Sequence, residues 1–144
     1  MGDRVSVPTT GTLSIANARL LAADALAPIA DDDPEVLTNL VDAVAPPVLM
    51  VGWGDPWIEA SPATMGATLY RARLVVWCIA GRLEPGPGVE MLERLVGYTF
   101  DRLNASPYPW GLPTASAPRV FPVGGLDYLG SQVAYLVPVT TSED

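Results

Sequence analysis

Carboxylates, serines and one cysteine are the side chains with which this 144-residue chain could do chemistry. Two carboxylate pairs, Asp55 with Glu59 and Glu90 with Glu93, have the residue types used in glycoside hydrolysis. That reaction needs two carboxylates facing each other across a substrate, which close sequence neighbours on one surface rarely provide. A serine nucleophile needs an activating base, but all eight basic residues are arginines and no histidine is present. A Ser-His-Asp triad is therefore impossible, and we predict that the protein is not an enzyme.

The remaining chemical motifs also lack the partners that a bound ion or phosphate needs. Asp31, Asp32 and Asp33 precede Pro34 without the further spaced oxygen ligands of a calcium loop. Such acids are more typical of the start of a short helix. The glycines near Pro87 and near position 124 lack the lysine of a phosphate-binding loop. Cys78 lies in an apolar run, which favours a small buried hydrophobe. We therefore predict no metal and no cofactor.

Composition favours a single folded domain over residues 1–144, with an arm or loop at 1–11 and a frayed tail at 140–144. Apolar residues make up 49% and charged residues 17%, below the roughly 25% typical of globular domains. Few charges leave a weakly polar surface, which oligomerisation would cover. The alternative is a well-filled monomer with proline-rich loops.

The formal net charge of −8 argues against a protein that grips nucleic acid, because neutralising phosphates needs a basic face. It remains compatible with a surface that repels DNA. No apolar run reaches the ~18 residues needed to span a bilayer, and no apolar segment of signal-peptide type follows Arg4. We expect no membrane association, and either a reducing cytoplasm or a particle assembled there.

Hydrophobic spacing, prolines and glycines predict the secondary structure. The expected elements are a helix over 13–29 capped by Thr12 or Ser14, a short helix over 35–44, strands over 48–53 and 68–80, a loop over 54–66, a helix over 89–103, and strands over 119–123 and 126–139 joined by a Gly124-Gly125 hairpin turn. This order predicts an α+β fold in which an antiparallel sheet of about four strands carries two main helices on one face.

The strand over 68–80 carries two different faces. Ala72, Leu74, Val76, Cys78 and Ala80 alternate along one face, which we predict to lie in the core. The opposite face changes from polar to apolar along its length, as expected for a strand that enters a second contact surface. Arg71 and Arg73, on the polar half of this face, are either ordinary solvated residues or partners for acids on a neighbouring subunit.

Aromatic residues in the proline-rich segments have two interpretations. Trp53 is best explained as a plug at the edge of the core, whereas Trp57 and Trp110 suit either the core or a contact between subunits. Tryptophan, tyrosine and arginine most often anchor protein interfaces. The candidate interface residues are Trp57, Arg71, Arg73, Trp77, Tyr108 and Trp110.

Two segments carry a resemblance to a known family. They are Leu74-Val75-Val76-Trp77-Cys78, followed by a Pro-Gly-rich link to an amphipathic helix, and Val123-Gly124-Gly125-Leu126-Asp127-Tyr128-Leu129, followed by 133–139. In this element order the chain resembles, from about Thr12 to Val139, the tail terminator (tail completion) proteins of long-tailed bacteriophages. The likeness is to those of actinobacterial phages and, more remotely, of phage lambda. It includes no catalytic signature, and the loops at 55–62 and 104–118 match no family pattern.

The resemblance implies a structural virion protein, assembled in the host cytoplasm, that forms a ring, usually of six subunits, on the head-proximal end of the tail tube. Such a ring ends tube polymerisation and offers a docking surface for the neck and head-completion proteins. Its partners would be copies of itself, the tail tube protein and a neck protein, with DNA passing through the lumen without specific binding. From the net charge we expect the lumen to be acidic, which would avoid binding that DNA. The alternatives are another head-to-tail connector component, such as a head-completion or adaptor protein, and a small ligand-binding domain.

Overall fold

The computed structural model describes residues 13–38, 44–62, 68–82, 87–106, 108 and 110–140. Seven strands and two helices lie in this part of the chain. In chain order they are β1 (Leu13–Ser14), α1 (Ile15–Leu26), β2 (Glu35–Leu37), β3 (Val48–Pro62), β4 (Thr68–Arg82), α2 (Pro87–Ala105), β5 (Thr114–Ala115), β6 (Arg119–Val123) and β7 (Leu126–Thr140). The predicted arm at 1–11 and most of the predicted tail at 140–144 lie outside the described residues.

All seven strands belong to one mixed sheet, so the predicted antiparallel sheet of about four strands is wrong. The sheet order is β1-β7-β4-β3-β2, and the short strands β5 and β6 also pair with β7. The β1–β7 and β2–β3 pairs are parallel, whereas the other pairs are antiparallel. Strands β1, β2 and β5 have only two or three residues, too few to show the alternation by which a strand is recognised in sequence.

The predicted short helix over 35–44 is a second correction. Residues Glu35–Leu37 form β2 instead, parallel to the start of β3, and residues 39–43 lie outside the described part of the chain. Val36 packs against the core on one side of the sheet and Leu37 against a cluster on the other side. This two-sided burial explains the strand, because successive side chains of a strand point to opposite faces, whereas those of a helix are only about 100° apart around its axis.

Strand β3 is also much longer than predicted. It continues through the proline-containing segment expected to be a loop and ends at Pro62, with a register shift between Trp53 and Ile58. A bulge of this kind accommodates extra residues, including Pro56, which has no N–H to donate to a ladder. The pairing resumes with Ile58 opposite Ala72 and continues to the end of the strand.

Several local predictions are confirmed. Ser14 caps α1, its hydroxyl accepting a hydrogen bond from the Asn17 backbone N–H at 3.3 Å. The helix predicted over 89–103 is α2, and Leu92, Leu95 and Leu103, which share one face of it, are buried. Gly124 and Gly125 have φ values of 59° and 81°, so the β6–β7 hairpin closes through two residues with positive φ.

The main core lies between the sheet and both helices. It takes Ala72, Leu74, Val76, Cys78 and Ala80 from β4, as predicted, and alternate residues of β3 and β7. Buried residues of α1 and α2 belong to the same cluster, so both helices lie on this face of the sheet. A smaller cluster of Val48, Met50, Ile79 and Tyr128, called here the second cluster, lies on the opposite face near one end of β4.

Candidate interaction surface

One half of the sheet face opposite the helices forms the candidate surface. It is defined by Arg71 and Arg73 of β4 and by Gln132, Ala134 and Leu136 of β7, and is called here the open patch. Arg73 is opposite Leu136 in the ladder, and Leu136 is 38% exposed. Among the described residues both helices pack against the other face. The sheet therefore presents part of one face to its surroundings.

Arg73, a predicted interface residue, is held within its own chain. Its guanidinium donates to Glu59 Oε2 at 2.9 Å in an ion pair whose side chains are 30% and 45% exposed. Its aliphatic stem lies over Gly54, where a Cβ atom would come within 2.8 Å of Arg73 Cδ and 2.7 Å of Val75 Cγ2. Glycine at position 54 therefore lets the arginine lie flat and cover Val75, which is only 4% exposed.

Arg71 and Arg119 carry charge on the same side of the sheet. Arg71 is exposed and has no hydrogen bond or ion pair with another described residue. Arg119 of β6 donates to Gln132 Oε1 at 2.8 Å, and its guanidinium carbon lies 4.8 Å from the centre of the Phe121 ring. No carboxylate in the described part of the chain forms an ion pair with either arginine, although Glu59, which pairs with Arg73, lies opposite Arg71 in the ladder. The open patch and its border are therefore basic.

The three tryptophans of β3 and β4 occupy different environments. Trp57 is 50% exposed in the β3 bulge, and its ring lies 6.2 Å from that of Trp53, which packs against the main core. Trp77 is partly buried and packs against the second cluster. Trp57 is therefore an exposed aromatic side chain on a fixed support, whereas Trp77 contributes mainly to packing within the chain.

Tyr108 and Trp110, two of the candidate interface residues, are buried within their own chain. Each is only 4% exposed, and their rings meet edge to face with centroids 4.8 Å apart. The Tyr108 hydroxyl donates to the Pro138 carbonyl at 2.7 Å. Gly111 has a φ of 84°, and a Cβ there would come within 3.2 Å of the Leu136 carbonyl. The proline-rich segment thus turns back against β7, which places both rings in the core rather than on a contact surface.

The helix side of the molecule is acidic at its surface. Five carboxylates are exposed on α2 and on the turn after α1, together with one exposed arginine, Arg94. The carboxylates are Asp31, Asp32, Glu90, Glu93 and Asp101. A groove of about 480 Å³ runs between α2 and this turn, with Asp32, Arg94 and Asp101 in its lining. This side, called here the helix layer, has the opposite charge to the open patch.

Asp33 and Arg102 hold that turn in place. The Asp33 carboxylate accepts hydrogen bonds from the backbone N–H groups of Ala30 and Ile29, which lower its pKa below the ordinary value. Arg102 of α2 donates to the carbonyls of Ala25 and Ala27 at 3.1 and 2.6 Å, at the end of α1. An arginine that satisfies the last carbonyls of a helix caps it, so α1, the turn and α2 form one unit.

The Cys78 thiol and the Tyr135 hydroxyl lie in the core. Burial raises the pKa of the Cys78 thiol to about 12, and its sulfur lies 3.7 Å from the Thr99 hydroxyl. Burial also raises the pKa of Tyr135 to about 12. In the described part of the chain, no three His, Cys, Asp or Glu side chains come together as a metal would require. Glu59, which the sequence pairs with Asp55 as a candidate carboxylate pair, forms an ion pair with Arg73.

A second groove, of about 430 Å³, lies on the other flank of α2. Its apolar lining includes Leu92, Val96, Phe100, Ala115 and Pro118.

No helix within the described ranges is both long and apolar enough to cross a membrane. No protein-family model matches the chain, and no curated protein matches its sequence significantly.

Proposed function

We propose that the protein is a structural subunit that assembles with copies of itself into a ring. In the reading that the resemblance favours, the ring caps the head-proximal end of the tail tube of a long-tailed bacteriophage. There it ends tube polymerisation and offers a docking surface for a neck or head-completion protein. The role requires shaped surfaces and no bond-making step.

The observation that carries the proposal is the open patch. A sheet that buries one face under two helices and leaves part of the other face available has a broad, preformed contact surface. Leu136 provides exposed apolar area there, and Arg71 provides charge without a carboxylate partner among the described residues. Outside the patch, Ile29 and Leu112 are 84% and 92% exposed, which adds apolar surface of the kind that oligomerisation covers.

The chemistry of the chain supports the same proposal. Its thiol and the Tyr135 hydroxyl are buried with raised pKa values, and histidine and lysine are not present in the sequence. An excess of eight negative charges suits a ring around a DNA channel, because a like-charged wall avoids binding the nucleic acid that passes through. A basic or neutral inner wall in the assembled ring would contradict this part of the proposal.

Native mass spectrometry of the purified full chain, with negative-stain imaging over a range of protein concentrations, tests ring formation. Closed rings of one stoichiometry are the expected result. A monodisperse monomer at every concentration, with a small molecule retained in one of the grooves beside α2, would contradict the proposal and favour a ligand-binding domain.

Antibody labelling of virions that contain the protein tests its position. Label at the upper end of the tail, present also on free tails, is expected for a tail terminator. Label on heads that have no tail would instead identify a head-completion or adaptor protein.

A further inference from the structure

The charges on the two sides of the subunit are opposite. On the sheet side, Arg71 and Arg119 have no carboxylate partner in the described part of the chain, and Arg73 and Glu59 neutralise each other. On the helix side, the exposed carboxylates of the helix layer outnumber its one exposed arginine by five to one. The chain as a whole is acidic, but its negative charge is unevenly distributed, and the open patch carries positive charge instead.

The two charged regions are also both elongated. Arg71 is opposite Pro138 and Arg119 is opposite Gly130, so about 26 Å of β7 separates the two arginines. Glu90 and Asp101 lie 11 positions apart on α2, which corresponds to about 17 Å along the helix axis. Arginine side chains reach several ångströms from the backbone, so a strip of this length can meet the acidic helix over most of its length.

Like charges oppose any symmetric pairing of the same face. Two open patches set against each other would bring arginines together, and two helix layers would bring carboxylates together, both of which are unfavourable. The pairing of opposite charges joins the sheet side of one copy to the helix side of the next. An interface between two different surfaces is heterologous, and it generates a ring when the rotation between copies closes.

We propose that the open patch of one copy docks on the helix layer of the next, with Arg71 and Arg119 against the carboxylates of α2 and of the Asp31–Asp32 turn. This contact rests on the proposed function, since it specifies how the ring is joined. Leu136 lies between the charged groups on the sheet side and supplies the apolar area that is removed from water. The helix layer offers Leu20 and Val89, each 38% exposed, as apolar counterparts.

Two charge-reversal variants test the contact. In R71E/R119E the sheet side becomes acidic, and in E93R/D101R the exposed side chains of α2 change from net acidic to net basic, while Asp31 and Asp32 keep their charge. All four positions are exposed, so the substitutions are expected to leave the thermal midpoint of the monomer near that of the wild type. Each variant alone is expected to assemble at least about tenfold more weakly than the wild type at low ionic strength.

An equimolar mixture of the two variants is the decisive sample. The acidic sheet side of R71E/R119E then meets the basic α2 surface of E93R/D101R, and the unchanged sheet side of E93R/D101R meets the unchanged helix layer of R71E/R119E. The wild-type oligomer is therefore expected to return with the two variants alternating in a 1:1 ratio. Native mass spectrometry reads this ratio from their mass difference. E35R/D127R is the matched control for E93R/D101R, because it makes the same change in net charge at two exposed carboxylates outside the helix layer. It is expected to assemble like the wild type.

Two results would overturn the contact while leaving the ring intact: wild-type assembly by E93R/D101R alone, or a mixture that stays dissociated although the wild type forms rings. A wild-type chain that remains monomeric at every concentration would overturn both the contact and the proposed function.

Discussion

The two faces of strand β4 show how one sheet separates stability from contact. Leu74 and Val76 are completely buried under the helices, whereas Arg71 and Arg73, on the same strand, point to the side that the helices do not cover. A strand with alternating faces permits this division, because successive side chains lie on opposite sides of the sheet. Substitutions on the covered face should therefore change folding, and those on the open patch should change association.

The largest difference is expected between two tryptophans. Trp110 is 4% exposed and packs against Tyr108, so Trp110→Ala is expected to cost about 3–5 kcal/mol of unfolding free energy. Trp57 is half exposed, and Trp57→Ala is expected to cost about 1 kcal/mol or less. Urea denaturation of both variants measures the difference. Equal losses would show that the Trp110 segment is not packed as described.

A pair of leucines compares the two faces directly. Leu74→Ala leaves a cavity in the main core and is expected to cost about 2–5 kcal/mol. Leu136→Ala, on the adjacent strand but in the open patch, is expected to cost no more than about 1 kcal/mol. Chemical denaturation at a concentration where the protein is monomeric gives both values. A large loss for Leu136→Ala would mean that the patch is covered within the subunit.

The buried thiol of the covered face predicts a dependence of stability on pH. Burial raises the pKa of Cys78 from 9.0 to about 12, so between these values the unfolded chain loses a proton that the folded chain keeps. The contribution of Cys78 to the free energy of unfolding is therefore fully present below about pH 9. Above that pH the free energy of unfolding falls by up to about 1.4 kcal/mol per pH unit.

Cys78→Ala provides the control for this effect. The variant is expected to be less stable at neutral pH, but its unfolding free energy should change little between pH 8.5 and 10, before Tyr135 begins to contribute. Urea titrations at several pH values measure both slopes. Parallel slopes for the variant and the wild type would contradict the burial of the thiol.

The smallest effect is expected on the open face, from the ion pair between Arg73 and Glu59. Both groups are partly solvated, so a double-mutant cycle with Arg73→Met and Glu59→Gln should give a coupling of about 0.2–1 kcal/mol that decreases with salt. Arg71 is directly opposite Glu59 in the ladder without bonding to it, and the Arg71–Glu59 cycle is the matched control. A salt-insensitive coupling above about 2 kcal/mol would place the Arg73 pair in a buried site.

Regular patterns of sufficient length allowed part of the fold to be predicted. The alternation of β4, the apolar stripe of α2 and the Gly124-Gly125 turn each span enough residues, or require special enough backbone angles, to be recognised in the sequence. Strand β2 was missed because three residues form no pattern. The extension of β3 was missed because Pro56 and Pro62 are typical of loops, and only pairing with β4 makes that segment a strand.

The candidate surface was predicted in part for the same reason. Alternation placed Arg71 and Arg73 on one face of β4, but the cross-strand ion pair of Arg73 depends on the β3 bulge, which has no local signal. Tyr108 and Trp110 depend on how the proline-rich segment turns back on β7. Arg102 was not predicted as a capping residue, although a basic residue in the last turn of a helix is a recognisable capping signal. In the structure it caps the end of α1 and not that of its own helix α2, which the sequence of α2 does not indicate.

Oxidative footprinting of side chains across a range of protein concentrations tests most directly whether the open patch is the contact surface. Leu136 and Leu126 lie on the same strand and are 38% and 40% exposed, so they form a matched pair of reporters. As the protein assembles, the oxidation rate of Leu136 is expected to fall several-fold while that of Leu126 stays constant. Unchanged oxidation of Leu136 in a fully assembled sample would contradict the account.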